Sequence, residues 1–144
     1  MDGPLYQRQE EIDLDNSGDS LALIARHIAP GSEVLELGVA TGYFSRFLKE
    51  KRQCAVDGVE VDPGMAEQAA PWCRKLVVAD LERERLAGHL PPAAYDYVVC
   101  ADVLEHLADP DAVLGQLSGM LKAGGRVIAS IPNFAYAGLL LSLI

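Results

Sequence analysis

Short apolar runs alternate with stretches of helical periodicity along most of this chain. The apolar runs at residues 34–37, 55–59, 76–79, 97–100 and 126–131 are predicted as strands. Helices are predicted at residues 20–29, 44–50, 65–70 and 103–107, and another opens at Asp109-Pro110 and ends at Gly124-Gly125. A regular alternation of strand and helix implies right-handed crossovers and a parallel sheet. The predicted fold class is therefore α/β, with a doubly wound parallel sheet of about five strands and flanking helices.

Length and composition set the limits of this fold. The 144 residues can bury one hydrophobic core but not two, so residues 1–144 are predicted to form a single domain. A net charge of −9, with no stripe of Lys and Arg, argues against nucleic acid as a partner. The N-terminus is polar and acidic, and no apolar run approaches the ~20 residues that cross a bilayer. We therefore expect no membrane association and a cytoplasmic protein.

The cysteines give no sign of a metal or redox centre. Cys54, Cys73 and Cys100 are odd in number, far apart and without the C-x-x-C spacing of such a site. They are interpreted as reduced thiols in a reducing compartment, and no metal ligands are predicted.

The loops after the first four predicted strands carry the candidate site, because ligands of a doubly wound sheet bind at the carboxyl ends of its strands. The first loop contains glycines, which let the backbone approach a ligand, and it leads into a helix N-terminus. The second and third loops begin with Glu60 and Asp80, and the fourth contains Asp102 and His106. A carboxylate at the end of the second strand can accept hydrogen bonds from two ribose hydroxyls.

Each of these signals also has a purely structural interpretation. A glycine-rich turn between strand and helix can serve backbone geometry alone, and Glu60 or Asp80 can be a solvated strand-end carboxylate. Asp62 precedes Pro63 and is predicted as a helix cap. Two acids at the ends of consecutive strands, beside the glycine turn, favour a site for a nucleoside cofactor.

Five motifs occur in an order and spacing that resemble a known family. They are E-x-G-x-x-x-G at residues 36–42, V-E-V-D at 59–62, V-V-A-D at 77–80, Y-D-Y-V-V-C-A-D-V-L-E-H-L at 95–107 and L-K-A-G-G-R-V-I-A-S-I-P-N at 121–133. The chain resembles class I S-adenosylmethionine-dependent methyltransferases, and most of all the small-molecule branch with ubiquinone-pathway and sugar O-methyltransferase-type proteins. The resemblance implies a Rossmann-like fold, S-adenosylmethionine as cofactor and S-adenosylhomocysteine as product. It also implies methyl transfer by in-line displacement to an O-, N- or C-nucleophile of a small-molecule acceptor.

The resemblance further assigns roles in holding the cofactor. The methionine end of the pocket would be shaped by Glu36, Gly38 and Gly42, and Val39 and Ala40 of the same turn would also bind the cofactor. Glu60 would accept the ribose hydroxyls, and Asp80 would receive the adenine amino group. Val61 and Leu81 would hold the adenine ring between them.

The fourth loop would lie at the reacting end of the cofactor. Residues 100–102, with Ala101 and Asp102, would line the methionine and sulfonium region, and residues 104–106 would face the substrate. His106 is the candidate catalytic base, because an imidazole titrates near neutral pH and can take a proton from a substrate hydroxyl. Its place in an L-E-H-L stretch is equally consistent with packing or capping.

The sequence departs from the family pattern at two places. Ala40 stands where the turn usually has its middle glycine, and a left-handed conformation there would cost about 1 kcal/mol or more and weaken cofactor binding. The chain also stops before the helix and antiparallel strand pair that usually follow strand five, so the domain is predicted to be C-terminally incomplete. Its apolar tail, residues 134–144, is expected to cover the bare edge of strand five or to form a homodimer there.

Two other functions are weighed against methyl transfer. A nicotinamide dehydrogenase shares the sheet, the glycine turn and the ribose acid. Its G-x-G-x-x-G fingerprint is absent, however, since residues 38–43 lack glycine at the second and third glycine positions. The other alternative is a non-catalytic module of methyltransferase-like fold, which binds the cofactor or serves as a partner subunit.

Overall fold

The computed structural model describes residues 11–132 and 139–143, which form a six-stranded sheet with helices on both faces. The strands are β1 (Glu33–Leu37), β2 (Ala55–Glu60), β3 (Lys75–Val78), β4 (Tyr95–Ala101), β5 (Leu121–Ile131) and β6 (Leu139–Leu143). The α-helices are α1 (Ser20–Arg26), α2 (Tyr43–Arg52), α3 (Pro63–Ala69) and α4 (Pro110–Leu117). Short 3₁₀ helices cover Ala70–Trp72, Leu86–Gly88 and Leu104–His106.

The strand order, β3-β2-β1-β4-β5-β6, shows where a ligand can bind. All pairings among β1 to β5 are parallel, which confirms the predicted doubly wound sheet. The chain goes from β1 to β2 on one side and later returns to β4 on the other side of β1. Ligands of such sheets bind in the crevice at the carboxyl ends of the strands where this reversal occurs.

Alternation along β1 divides its side chains between two layers. Leu35 and Leu37 pack into the core on the α4 side of the sheet, while Val34 packs against α1 and α2. Glu36 shares the face of Val34, because successive side chains of a strand point to opposite faces. A carboxylate is therefore placed under the first turn of α2, in a strand whose residues from Val34 to Leu37 are all buried.

The helix starts follow the predicted capping chemistry. Asp62 Oδ1 accepts from Met65 N at 3.0 Å at the start of α3, and Asp109 Oδ1 accepts from Ala112 N at 3.1 Å at the start of α4. Pro occupies the first turn of both helices. Within the described part of the chain, no helix combines the length and the apolar character needed to span a membrane.

The boundary between α4 and β5 differs from the prediction. The helix ends at Leu117, and Gly124-Gly125 lie inside β5 instead of ending the helix. Here β5 bulges away from β4, since Tyr95 pairs with Leu121 but Tyr97 pairs with Arg126. The bulge requires glycine because Gly124 has φ 79° and a Cβ on Gly125 would lie 2.9 Å from Lys122 O. Glycine pairs occur both at helix ends and at strand bulges, so the sequence alone does not distinguish the two.

A sixth strand covers the edge of β5. Residues 139–143 pair antiparallel with β5, from Ile131 opposite Leu139 to Val127 opposite Leu143. The prediction that the tail covers this edge is confirmed for these residues, while residues 134–138 and 144 lie outside the described part. A homodimer through this edge stays a prediction.

Candidate functional site

Two adjoining cavities lie at the carboxyl ends of the strands, where the strand order reverses. The first cavity, of about 410 Å³, extends from the ends of β1, β2 and β4 to the starts of α1 and α2. The second cavity, of about 290 Å³, lies beside it at the ends of β2 and β3. The wall common to both cavities is formed by Gly38, Glu60, Asp102, Val103 and His106.

The turn between β1 and α2 is tied to the end of β2. Gly38 N and Val39 N both donate to Val59 O, at 2.8 and 3.1 Å, and Ala40 N donates to Glu60 Oε2 at 2.7 Å. Ala40 lines the first cavity with φ 51°, in the left-handed region. The conformation that was expected to cost about 1 kcal/mol or more at this position is therefore the one adopted.

The glycines of the turn make room for protein atoms. A Cβ on Gly38 would lie 2.7 Å from Val103 Cγ2, so Gly38 lets the fourth loop approach the turn. A Cβ on Gly42 would lie 2.7 Å from Ala69 Cα and 3.0 Å from Trp72 Cδ1, at the end of α3. Gly42 lines neither cavity. Gly42 was predicted to shape the methionine end of the pocket, but the structure places it where α2 packs closely against α3.

Glu60 lies in the wall between the two cavities and is 8% exposed. Its Oε2 accepts from Ala40 N, and its Oε1 accepts from Val61 N at 2.9 Å and from Asp62 N at 3.0 Å. These three bonds fix the carboxylate, which has about four acceptor positions in all. One position on Oε2 remains for a hydroxyl donor of a ligand.

Glu36 forms the floor of the first cavity at 3% exposure. Ser45 Oγ, from α2, donates to Glu36 Oε2. Burial raises the pKa of the Glu36 carboxyl to about 8, the Ser45 hydrogen bond opposes that shift, and the charge of Glu60 adds to it. At neutral pH the carboxyl therefore carries a proton for most of the time, and a cation in the cavity would favour its ionised form.

The second cavity holds the other predicted nucleoside contacts. Val61 and Leu81 both line it, and Val61 is 60% exposed, which leaves an apolar surface open to a flat ring. Asp80 also lines this cavity, where its Oδ1 accepts from Glu82 N at 2.9 Å and its Oδ2 lies 3.6 Å from Arg83 Nε. The loop itself thus orients the Asp80 carboxylate.

The fourth loop contributes only some of its predicted residues. Ala101 lines the first cavity and Asp102 lines both, with Asp102 in the left-handed region at φ 52°. Cys100 is fully buried, and Leu104, at 6% exposure, packs in the hydrophobic core instead of facing a substrate. Burial alone raises the pKa of the Cys100 thiol to about 12.

His106 stands at the mouth of the groove. Its side chain is 78% exposed, lines both cavities and lies 3.7 Å from Glu105 Oε1. The 3₁₀ helix that carries it packs by Leu104, so the imidazole projects from a fixed turn. This position is compatible with proton transfer to or from a group bound in the groove.

Sequence reasoning did not identify the residues that distant elements bring to the first cavity. They are Ser20 and Leu21 from α1, Phe44 from α2 and Met65 from α3. No motif marks them, because their position depends on how helices that are remote in sequence pack around the end of the sheet.

Acidic side chains dominate the charge of both cavities. Glu60 and Asp102 line the first cavity together with the mostly protonated Glu36, and Glu60, Asp80, Glu82 and Asp102 line the second. Among the described residues, neither cavity is lined by Lys or Arg. A groove with this charge attracts cations and repels phosphate groups.

Comparisons with known proteins agree with this geometry. A family model for a methyltransferase domain matches residues 35–127. A ubiquinone biosynthesis O-methyltransferase of Idiomarina loihiensis is 32% identical over 111 residues, which cover 72% of this chain and 43% of the relative. A malonyl-[acyl-carrier protein] O-methyltransferase of Hahella chejuensis is 32% identical over 121 residues, with 78% and 40% covered. The chain thus spans less than half the length of these curated relatives.

Solved structures share the fold. The crystal structure of an S-adenosylmethionine-dependent methyltransferase from Mesorhizobium loti superposes with a TM-score of 0.69 at 23% identity, covering 84% of this chain and 56% of that one. The family match, residues 35–127, includes the glycine turn, the strand ends and the acidic side chains of both cavities. The chain therefore belongs to the methyltransferase domain family, within the class I S-adenosylmethionine-dependent methyltransferases that its motifs predict.

Proposed function

We propose that this domain binds S-adenosylmethionine across the two cavities and transfers its methyl group to a small-molecule acceptor. The observation that carries the proposal is the charge of the groove: acids line both cavities, and no Lys or Arg of the described residues does. S-adenosylmethionine brings two cationic groups, an ammonium and a sulfonium, against a single carboxylate, so its net charge is positive. A dinucleotide brings phosphates, which this groove would repel.

Each cavity would hold one half of the cofactor. The first cavity, floored by Glu36 and bordered by Ala40, would hold the methionine half. Glu60, in the shared wall, would accept a ribose hydroxyl at the position left on its Oε2. The second cavity would hold adenine, with its ring against Val61 and Leu81 and its amino group toward Asp80.

The residues of this chain would contribute position and charge to the reaction. When bound, S-adenosylmethionine supplies a methyl group that its sulfonium already activates for displacement. The groove aligns the reactants and excludes water, and proximity of this kind can contribute several kcal/mol. For a hydroxyl acceptor, we propose His106 as the base that takes the proton, since it lines both cavities beside the shared wall. An amine or thiol acceptor needs less help.

The first experiment is a calorimetric titration of the chain with S-adenosylhomocysteine, which needs no known acceptor. We expect micromolar binding by the wild-type chain and at least about tenfold weaker binding by Glu60→Gln. The amide has one acceptor oxygen where Glu60 uses two, so it cannot keep all three backbone bonds and also accept a ribose hydroxyl.

Glu67→Gln is the matched control. It makes the same chemical change at an exposed position of α3, outside both cavities, and should leave the affinity unchanged. NAD is the matched ligand control, because it shares the adenosine half and adds phosphates. Binding of NAD in preference to S-adenosylhomocysteine, or equal affinity of Glu60→Gln and wild type, would overturn the assignment.

Turnover separates the enzyme from a non-catalytic module. The chain is incubated with S-adenosylmethionine and a set of small acceptors that have an oxygen, nitrogen or carbon nucleophile. Release of S-adenosylhomocysteine with any of them would establish catalysis. If the chain binds S-adenosylmethionine and S-adenosylhomocysteine but forms no S-adenosylhomocysteine with any acceptor, the non-catalytic module is favoured.

A further inference from the structure

Ser130 is a buried residue that contacts the fourth loop through its hydroxyl. It lies on β5 opposite Ala101 of β4 and is 2% exposed. Its Oγ donates to Asp102 Oδ1 at 3.0 Å and accepts from Asp102 N at 3.1 Å, and its carbonyl oxygen accepts from the same N–H at 3.2 Å. Ser130 itself lines neither cavity. An effect of its hydroxyl on a ligand would therefore act through Asp102, to which the hydroxyl is hydrogen-bonded.

Asp102 needs such support because its backbone is strained. Its φ of 52° lies in the left-handed region, which costs most residues with a side chain about 1–2 kcal/mol, although Asp adopts it more readily than most. Strained residues of this kind persist where their surroundings hold them in place. The hydrogen bonds that residues 11–132 make to Asp102 all involve Ser130, and none of them reaches Oδ2. One carboxylate oxygen is therefore fixed, while Oδ2 makes no hydrogen bond to residues 11–132.

The position of this carboxylate also calls for a positive ligand. Asp102 shares the first cavity with Glu36 and Glu60, and no Lys or Arg of the described residues lines that cavity. A second carboxylate beside that of Glu60 raises the energy of the empty site unless a bound group supplies positive charge.

We infer that Ser130 is a positioning residue that holds the Asp102 carboxylate toward the ammonium group in the methionine half of the bound cofactor. The inference rests on the proposed function and assigns a role to a residue outside the cavities. Removal of the hydroxyl would free the carboxylate to turn away. Asp102 N would keep its bond to the Ser130 carbonyl oxygen, so the loop would keep its backbone anchor.

The test compares three ligands on wild type and Ser130→Ala by calorimetry. S-adenosylmethionine and S-adenosylhomocysteine carry the ammonium, whereas 5′-methylthioadenosine has the same adenosine half with no charge. We expect Ser130→Ala to weaken binding of the two charged ligands about tenfold, as for loss of a hydrogen bond to a charged group, and 5′-methylthioadenosine less than about twofold. A merely structural defect would weaken all three alike.

Ser130→Thr and Ser130→Val form a pair matched in shape that differs in the hydroxyl alone. If added bulk disturbs the buried site, both variants suffer equally, and the difference between them still isolates the hydroxyl. We expect the Thr variant to bind the charged ligands about tenfold more tightly than the Val variant. Equal affinities of the two variants would overturn the inference.

The Asp102→Asn background shows whether Ser130 acts through Asp102. In that background, Ser130→Ala should change the affinity for S-adenosylhomocysteine by less than about twofold, because interacting residues are not additive. A full tenfold loss in the Asn background would overturn the inference while leaving the proposed function intact. Absence of S-adenosylhomocysteine binding by the folded wild-type chain would overturn both.

Discussion

Ala40 combines a strained backbone with a place in the cavity wall. Its φ of 51° puts a methyl group where the left-handed conformation brings Cβ close to the backbone, and its N–H is the donor that fixes Glu60 Oε2. The strain is thus stored next to the carboxylate proposed to bind ribose. Sequence analysis identified the position and the cost of a left-handed conformation there, but φ itself depends on the hydrogen bonds between the turn and the end of β2.

Ala40→Gly should relieve this strain. We expect the free energy of unfolding to rise by roughly 0.5–1 kcal/mol, because the relief of strain exceeds the added flexibility of glycine in the unfolded chain. Urea denaturation measures the change. Ala112→Gly in α4, at an exposed position, is the control and should lower the free energy of unfolding by about the same amount. A loss of stability in Ala40→Gly would contradict the strained conformation.

At the scale of secondary-structure elements, a buried polar cluster joins the strands at the end of the sheet opposite the cavities. Asp57 of β2 is 3% exposed and is bound by Arg74 through Nε at 2.9 Å and Nη2 at 3.0 Å. Tyr95 Oη of β4 donates to Asp57 Oδ2 at 2.7 Å, and Arg74 Nη1 lies 2.6 Å from Glu33 Oε2 of β1. The cluster therefore connects β1, β2 and β4 with the residue before β3. Burial, followed by the Asp57 hydrogen bond, raises the pKa of Tyr95.

Asp57→Asn should destabilise the fold without affecting ligand binding. The amide cannot accept both Arg74 hydrogen bonds, which leaves Glu33 as the remaining acidic partner of the guanidinium, so we expect a loss of about 1.5–3 kcal/mol in the free energy of unfolding. Glu50→Gln is the control, since it breaks an exposed Arg46–Glu50 pair of 3.2 Å and should cost less than about 0.5 kcal/mol. Denaturant titrations of both variants, with S-adenosylhomocysteine affinity at full folding, check the prediction. Equal losses in the two variants would show that the cluster adds nothing.

The elements that sequence analysis predicted correctly are those with a strong local signal. The five parallel strands are short apolar runs bounded by turns, and the caps at Asp62 and Asp109 are followed directly by Pro. The boundary between α4 and β5 was wrong because Met120 and Leu121 continue the helical spacing of apolar residues, while their burial comes from β4 and the core. The contact between Ser130 and Asp102 has no local signal, since it spans 28 residues and depends on the register of β4 and β5.

For the molecule as a whole, Glu36 links stability to pH. Burial raises the pKa of its carboxyl from 4.5 to about 8 in the folded chain, while in the unfolded chain the carboxyl ionises near its ordinary value. Between these values the folded state binds more protons than the unfolded state. Stability is therefore fully present below the lower value and is lost as the pH rises toward the higher one.

Glu36→Gln should remove this dependence. We expect the free energy of unfolding of the wild type to fall with pH between 4.5 and about 8 with an added slope of up to about 1.4 kcal/mol per unit, relative to the variant. The measurement is urea denaturation at half-unit pH steps on both chains, so that all other groups titrate in common. Parallel curves for the two chains would contradict a protonated Glu36 in the fold.

The whole-molecule arrangement could be predicted further than the site. The alternation of strands and helices predicted the sheet and its ligand-binding end. Glu60 and Asp80, the acids at the strand ends, line a cavity there. The charge of the groove could not be read from the net charge of −9, because that number does not say which acids converge. Convergence depends on strand order, which brings the loops after β1, β2 and β4 together.

The crowding around Gly38 and Gly42 bears on how relatives of this chain should be judged. Val103 occupies the space beside Gly38, and Ala69 occupies the space beside Gly42. A descendant that had lost its ligand would therefore still need both glycines in order to fold. Survival of the glycine motif says that the turn is intact, and the carboxylates are the residues to inspect when deciding whether a member of the family still binds anything.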